Sequence, residues 1–275
     1  MIRHPVQGLY VGCFPMGAAT LISVSVHTIY QDLGFGGKRF LYAIWSLWWV
    51  DVAISCVCVW GMVQIMYVPL ARYEIFVCAH VIFDYSRITR QRHSLDMMVP
   101  IWLLPIVTFV VASSSGGVLA APLQEFSPSY ALITVVFSIF MVTIGLSLSL
   151  IVLTIYFLRL MVYGLPEGAT VLSSFLPLGP TGQAGFSILL IGKNLKSLLP
   201  LTYGNSEVLR ASATGDTIHI ICLCISIALW SFGTMWVIFA LLGIQEVARE
   251  SRISFKLPFW GLIFPNGSSF ASYHC

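Results

Sequence analysis

Of 275 residues, 58% are hydrophobic and only 9% are charged; the net charge is +3 and the mean hydropathy is +0.89. A soluble globular chain carries about 25% charged residues, so this composition excludes a water-soluble domain and places most of the surface in lipid. The basic residues lie between apolar runs and not in a stripe with interleaved aromatics, which excludes nucleic acid as a partner.

A helix needs about 20 apolar residues to cross the hydrocarbon. In chain order the runs that qualify are 5–28, 40–68, 99–123, 129–162, 169–192 and 216–244, and a seventh, 257–273, reaches almost to Cys275. The first run begins almost at Met1 and exceeds the roughly 7–15 residues of a signal-peptide core, so no cleavable leader is expected. Connections are brief apart from 69–98 and 193–215, and the whole of 1–275 reads as one polytopic membrane domain.

Lysine and arginine give the orientation. Loops on the N-terminal side hold Arg3, Arg72, Arg87, Arg90, Arg92, Arg159, Arg249, Arg252 and Lys256. The other side holds Lys38, Arg39, Lys193, Lys196 and Arg210. By the positive-inside rule the N-terminus is cytoplasmic, and the plasma membrane is the expected location.

Glycine and proline divide the spans into two kinds. Their summed counts along the seven runs are 5, 1, 5, 1, 6, 2 and 4. Proline removes a backbone donor and displaces the carbonyl four residues earlier, and hydrocarbon cannot satisfy the polar groups this frees. Such spans belong in protein contact or beside a water-filled cavity, whereas the Leu-, Ile-, Val- and Trp-rich spans suit lipid. The fold class is therefore an all-α integral membrane protein of helical hairpins. Inner Gly/Pro-kinked helices surround a central pore, and outer helices face lipid. A motif repeats in the inner set: Phe14-Pro15-Met16-Gly17, Leu176-Pro177-Leu178-Gly179 and Phe264-Pro265-Asn266-Gly267, with Leu104-Pro105 as a partial copy. Repeated broken helices characterise pores and transporters. The expected pore-lining kinks are Pro15, Gly17, Pro105, Pro177, Gly179, Pro180, Gly182, Pro265 and Gly267.

The inner spans carry no Asp, Glu, Lys or Arg, although a cation path usually shows an intramembrane carboxylate. Asp51 lies on an outer span and is read as bonding across helices or sitting near an interface. Neutral donors are available instead: Ser113, Ser114, Ser115, Ser173, Ser174, Thr181 and Gln183. Such groups solvate a small anion without trapping it, and a negative-inside potential expels an anion by about 2.3 kcal/mol per charge per 100 mV. Gly179-Pro180-Thr181-Gly182-Gln183-Ala184-Gly185 lacks the lysine of a Walker motif, so transport is facilitated or secondary and no cofactor is expected. Cys56-Val-Cys58 and Cys222-Leu-Cys224 lack metal-ligand spacing, so no metal is expected either. A seven-helix receptor fits the span count but needs the opposite orientation, and neither Asp-Arg-Tyr after the third span nor Asn-Pro-x-x-Tyr occurs. An intramembrane enzyme would need converging catalytic groups, whereas Asp51, His27 and His219 are on separate spans.

Several strings carry a resemblance. Arg3-His4-Pro5-Val6-Gln7, Gly12-Cys13-Phe14-Pro15-Met16-Gly17, Trp48-Trp49-Val50-Asp51-Val52-Ala53 and Trp102-Leu103-Leu104-Pro105-Ile106-Val107 are four of them. Phe175-Leu176-Pro177-Leu178-Gly179-Pro180-Thr181-Gly182-Gln183 and Phe259-Trp260-Gly261-Leu262-Ile263-Phe264-Pro265 complete the set. Together they resemble fungal sulfite efflux pumps of the tellurite-resistance/dicarboxylate transporter (slow anion channel-like) family, over nearly the whole chain apart from about 71–87 and the last few residues. The resemblance implies ten helices in five hairpins, with odd helices around a quasi-fivefold pore and even helices outside. It implies that Phe264 is the phenylalanine that plugs the pore. The substrate it implies is a small anion, sulfite in first place and a C4-dicarboxylate such as malate as the alternative. The other partner is membrane lipid, and homo-oligomerisation is left open. Seven of ten spans are present by this pattern, so the resemblance also implies an incomplete chain with four of five inner helices.

Overall fold

The computed structural model describes residues 12–67, 100–164, 171, 174–201 and 206–250. Every regular element among them is helical. Helix α1 (Cys13–Val24) continues into a π-helical segment, Ser25–Asp32. Then follow α2 (Gly37–Tyr67), a 3-10 turn at Pro100–Leu103 leading into α3 (Leu104–Phe126), and α4 (Pro128–Tyr163). Helix α5 (Leu178–Leu198), a single turn at Glu207–Arg210 and α6 (Thr214–Glu250) complete the described elements. The expected inner run 257–273, with Phe264, Pro265 and Gly267, lies outside the described residues.

Among the described residues, five segments are long and apolar enough to cross a membrane: Cys13–Asp32, Gly37–Gly61, Leu104–Phe126, Pro128–Tyr163 and Thr214–Val247. Helix α4 shows how the sequence sets its ends. Pro128 follows an extended Ser127, where its fixed φ suits the first helical position and its missing N–H costs no bond. Gly164 stops the helix at φ 73°, a conformation that other residues adopt only with strain, and its carbonyl accepts from Arg159. At 1.5 Å per residue, the 36 residues of α4 extend about 54 Å, more than the roughly 30 Å of hydrocarbon.

The helices pack as a row with a backing. Helix α3 touches α1, α2, α4 and α5, and α5 in turn touches α3, α4 and α6. The row α1–α3–α5 is thus the inner layer of the described part, and α2, α4 and α6 lie behind it. Burial follows this order: in its apolar stretch α3 is 89% buried, against 39% for α2 and for α4 and 22% for α6. Helix α1, at the edge of the row, is only 28% buried. Its Met16, Ala19 and Ile22 are buried, while Phe14, Leu21 and Val24 are exposed.

Two aromatic seams tie the backing layer together. Trp45 stacks on Tyr130 with ring centres 4.9 Å apart, and Trp49 meets Phe137 edge-on at 4.7 Å, joining α2 to the first half of α4. Tyr156 stacks on Trp236 at 5.9 Å and Phe157 on Phe239 at 6.0 Å, joining the second half of α4 to α6. Trp48 ties the backing to the row, since its indole N–H donates to the Ala112 carbonyl over 2.9 Å.

The prolines fall where a helix can accept them. Pro15, Pro105 and Pro180 lie in the first turns of α1, α3 and α5, and Pro177 caps α5. First-turn residues have no intrahelical partner for their N–H, so these prolines open the three inner helices without interrupting a run of bonds. Pro122 alone lies inside a described helix. The aromatic/aliphatic-Pro-x-Gly strings at 14–17 and 176–179 are therefore repeated helix entrances.

Candidate functional site

Small polar side chains of α3 and α5 meet along a buried seam. Ser113 Oγ lies 2.6 Å from Ser187 Oγ and also reaches the Ser138 carbonyl of α4. One turn away, the Gln183 amide donates to Ser114 Oγ over 2.5 Å. Farther along, Asn194 Nδ2 donates to the Gly117 carbonyl at 2.8 Å, and Gln124 Nε2 donates to Asn194 Oδ1 at 3.0 Å. Ser197 closes the series by donating to Gln124 Oε1 at 2.6 Å. Close backbone approach makes these contacts reachable: a Cβ on Gly117 would lie 2.9 Å from Leu190 Cβ. Small residues at such positions let membrane helices approach and bond directly.

Each expected donor has a definite place. Ser113, Ser114, Ser115 and Thr181 are buried, and Gln183 is half-buried. Ser114 donates to the Val111 carbonyl, Ser115 to that of Ala112, and Thr181 to carbonyls of its own first turn at Pro177 and Leu178. These hydroxyl protons are directed at backbone oxygens, whereas the Gln183 amide has two protons and gives one to Ser114. Ser174 pairs with the Tyr156 hydroxyl, and Ser173 lies outside the described residues. The seam thus brings together Ser113, Ser114 and Gln183, and leaves Ser115 and Thr181 bonded within their own helices. Among the expected kink residues, Pro15, Pro105, Pro177, Gly179, Pro180 and Gly182 are buried, and Gly17 is exposed with open space around it.

Gln124, Ser187, Asn194 and Ser197 belong to the same seam and were not singled out from the sequence. The signal was present: Ser113, Gly117 and Gln124, like Gln183, Ser187, Asn194 and Ser197, recur at spacings of three, four and seven, which put each set on one helix face. Between Cys13 and Val24 of α1, Leu104 and Gln124 of α3, and Leu178 and Gly192 of α5, no residue is charged. Lys196, at the far end of α5, pairs with Asp216 at 2.9 Å, where both are exposed.

Asp51 departs from the first of its two expected roles, a bond across helices. Its side chain is buried on α2, 2% exposed, and neither carboxylate oxygen has a hydrogen-bond partner among the described residues. It does not bond across helices. The apolar cluster to which α2 contributes is built of Ile, Val, Leu, Phe, Trp, Ala and Met, and the hydroxyl one turn on, Ser55, is equally unpartnered.

Comparison with known proteins agrees with this architecture. The sulfite efflux pump SSU1 of Arthroderma benhamiae is 33% identical over 267 residues, covering 97% of this chain and 62% of the relative. That of Trichophyton rubrum is also 33% identical over 267 residues, with the same coverage of each chain. The Saccharomyces cerevisiae pump is 25% identical over 293 residues, covering 97% of this chain and 61% of its own. The chain thus spans about three fifths of the length of these relatives. No solved structure matches it. The voltage-dependent anion channel (SLAC1) family model matches residues 1–273. This chain is a multi-pass membrane protein that belongs to that family.

Proposed function

We propose that the chain forms the wall of a path by which a small anion, sulfite in first place, leaves the cytoplasm across the plasma membrane. The observation that carries this reading is the inner row α1–α3–α5, uncharged through its membrane-spanning part and joined at α3–α5 by hydroxyls and amides. A path without fixed carboxylates does not repel an anion, and neutral donors bind it weakly enough to release it. The relatives' printed name supplies the choice of sulfite. The excess of Arg and Lys on the side of Arg159 and Arg249 favours a cytoplasmic N-terminus. The exposed apolar faces of α2, α4 and α6 are the surface offered to lipid.

Gln183 is the donor of choice, since it is half-buried and keeps a second N–H after bonding Ser114. Loss of a hydrogen bond to a charged group costs about 1.5–3 kcal/mol, so Gln183→Leu should lower sulfite flux roughly tenfold or more in proteoliposomes. Flux of malate without sulfite would replace the substrate, and equal sulfite flux in wild type and variant would remove Gln183 from the path.

A further inference from the structure

Among the described residues, Asp51 is the one buried carboxylate without a hydrogen-bond partner, and the wall does not use it. It lies in the middle of α2 on the buried face formed by Trp48, Val52, Ser55 and Val59. Taking a bare carboxylate out of water without donors is among the costliest events in folding, and a neutral acid avoids most of that cost. Intramembrane carboxylates are tolerated where they bind something.

Among the described residues, the elements packed on α2 supply no cation there. Lys38 and Arg39 are exposed at the start of α2, and Arg39 is twelve residues, or about 18 Å, from Asp51 along the axis. Tyr42, Cys56 and Cys58 are the other titratable residues among Gly37–Gly61 of α2. On α1 and its π-helical continuation, Cys13, His27 and Asp32 are exposed, and Tyr30 bonds Glu125. That glutamate is the one charged residue of α3 and sits at its far end. On α4, Tyr130 stacks on Trp45, Tyr156 bonds Ser174, Arg159 donates to the Gly164 carbonyl, and Tyr163 is exposed at the helix end. What does stand near is Ser55, four residues on, where side chains on one helix face are about 5–6 Å apart at Cβ. Its hydroxyl is buried and unpartnered as well.

We propose that Asp51 and Ser55 form a proton-binding site within the bundle, and that anion movement through the protein responds to the proton bound there. Hydronium gives its proton to a carboxylate oxygen, forming the O–H bond and leaving water. The new O–H donates to Ser55 Oγ, and both orphaned groups are thereby satisfied. The ligand is the proton alone, and the site stands whether or not sulfite is the anion carried.

The test is infrared spectroscopy of the full chain in lipid nanodiscs as the bath pH is varied. The expected result is a carboxylic-acid C=O stretch that follows pH, disappears in Asp51→Asn and shifts in frequency in Asp51→Glu. Spectra identical in wild type and both variants would overturn the site. A flux measurement separates its coupling: wild-type anion flux should change with pH, and Asp51→Asn should lose that change while still conducting. An unchanged pH profile in Asp51→Asn would overturn the coupling, and absence of sulfite flux in the wild type would bear on the substrate, leaving the infrared result to decide the site.

Discussion

Gly116 occupies a position where no side chain fits. A Cβ there would lie against Ser138 Oγ and 2.7 Å from the Trp48 ring, which its hydrogen bond to Ala112 holds in place. Gly17 is the opposite case, with nothing within 4 Å of where a Cβ would stand. Overpacking a tight site costs about 1–3 kcal/mol, so Gly116→Ala should lower the thermal stability of the detergent-solubilised protein while Gly17→Ala leaves it nearly unchanged. Equal effects would mean that the Trp48 contact yields. The sequence singled out Gly17 as an expected kink and passed over Gly116; both are small residues in apolar runs, and the difference in packing lies in what another helix places opposite. The same holds for Asp51: its type and depth were legible, but the lack of a partner depends on the facing residues of α3 and α4, which local pattern does not encode.

Among whole helices, α5 stands apart. It is long, but it is not among the segments apolar enough to cross a membrane by themselves, and Gln183, Lys193, Asn194 and Lys196 are the reason. Its polar groups are answered by α3 and α6, through Gly117, Gln124 and Asp216. In a translocon insertion assay, Leu178–Leu198 tested alone should therefore integrate less efficiently than Pro128–Tyr163, and fusion to the α3–α4 hairpin should raise its integration. Equal insertion of the two isolated segments would show that α5 needs no partner. Sequence reading located this span as the apolar run 169–192 and set it in the inner row by its Gly/Pro content, and the register of proline within the helix decided the rest. The entrances at Pro15, Pro105 and Pro180 were visible as motifs, but a proline string alone does not say whether it begins a helix or bends one.

Across the molecule, the alternation of Gly/Pro-rich and Gly/Pro-poor runs carried the architecture, because backbone that hydrocarbon cannot satisfy must turn toward protein. The structure places α1, α3 and α5 in one row and α2, α4 and α6 behind it. Proposed topology follows from helices that alternate in direction: a cysteine introduced at Tyr163, the end of α4, should react with a membrane-impermeant thiol reagent applied from the cytoplasmic side. One at Glu207, before α6, should react from the other side, in a background lacking native cysteines. Labelling of both from one side would overturn the arrangement.

The polar seam between α3 and α5 has a mechanical consequence. Ser113–Ser187, Ser114–Gln183, Gly117–Asn194, Gln124–Asn194 and Gln124–Ser197 form a row of cross-links spread over several turns. Sliding one helix past the other by a single turn would break all of them together, and burial denies water to the Ser113–Ser187 and Gly117–Asn194 contacts. A wall fastened in this way is stiff against shear. Any opening beside it is then set by rotation of side chains, such as the carboxamide of Gln183, while the helices stay in register.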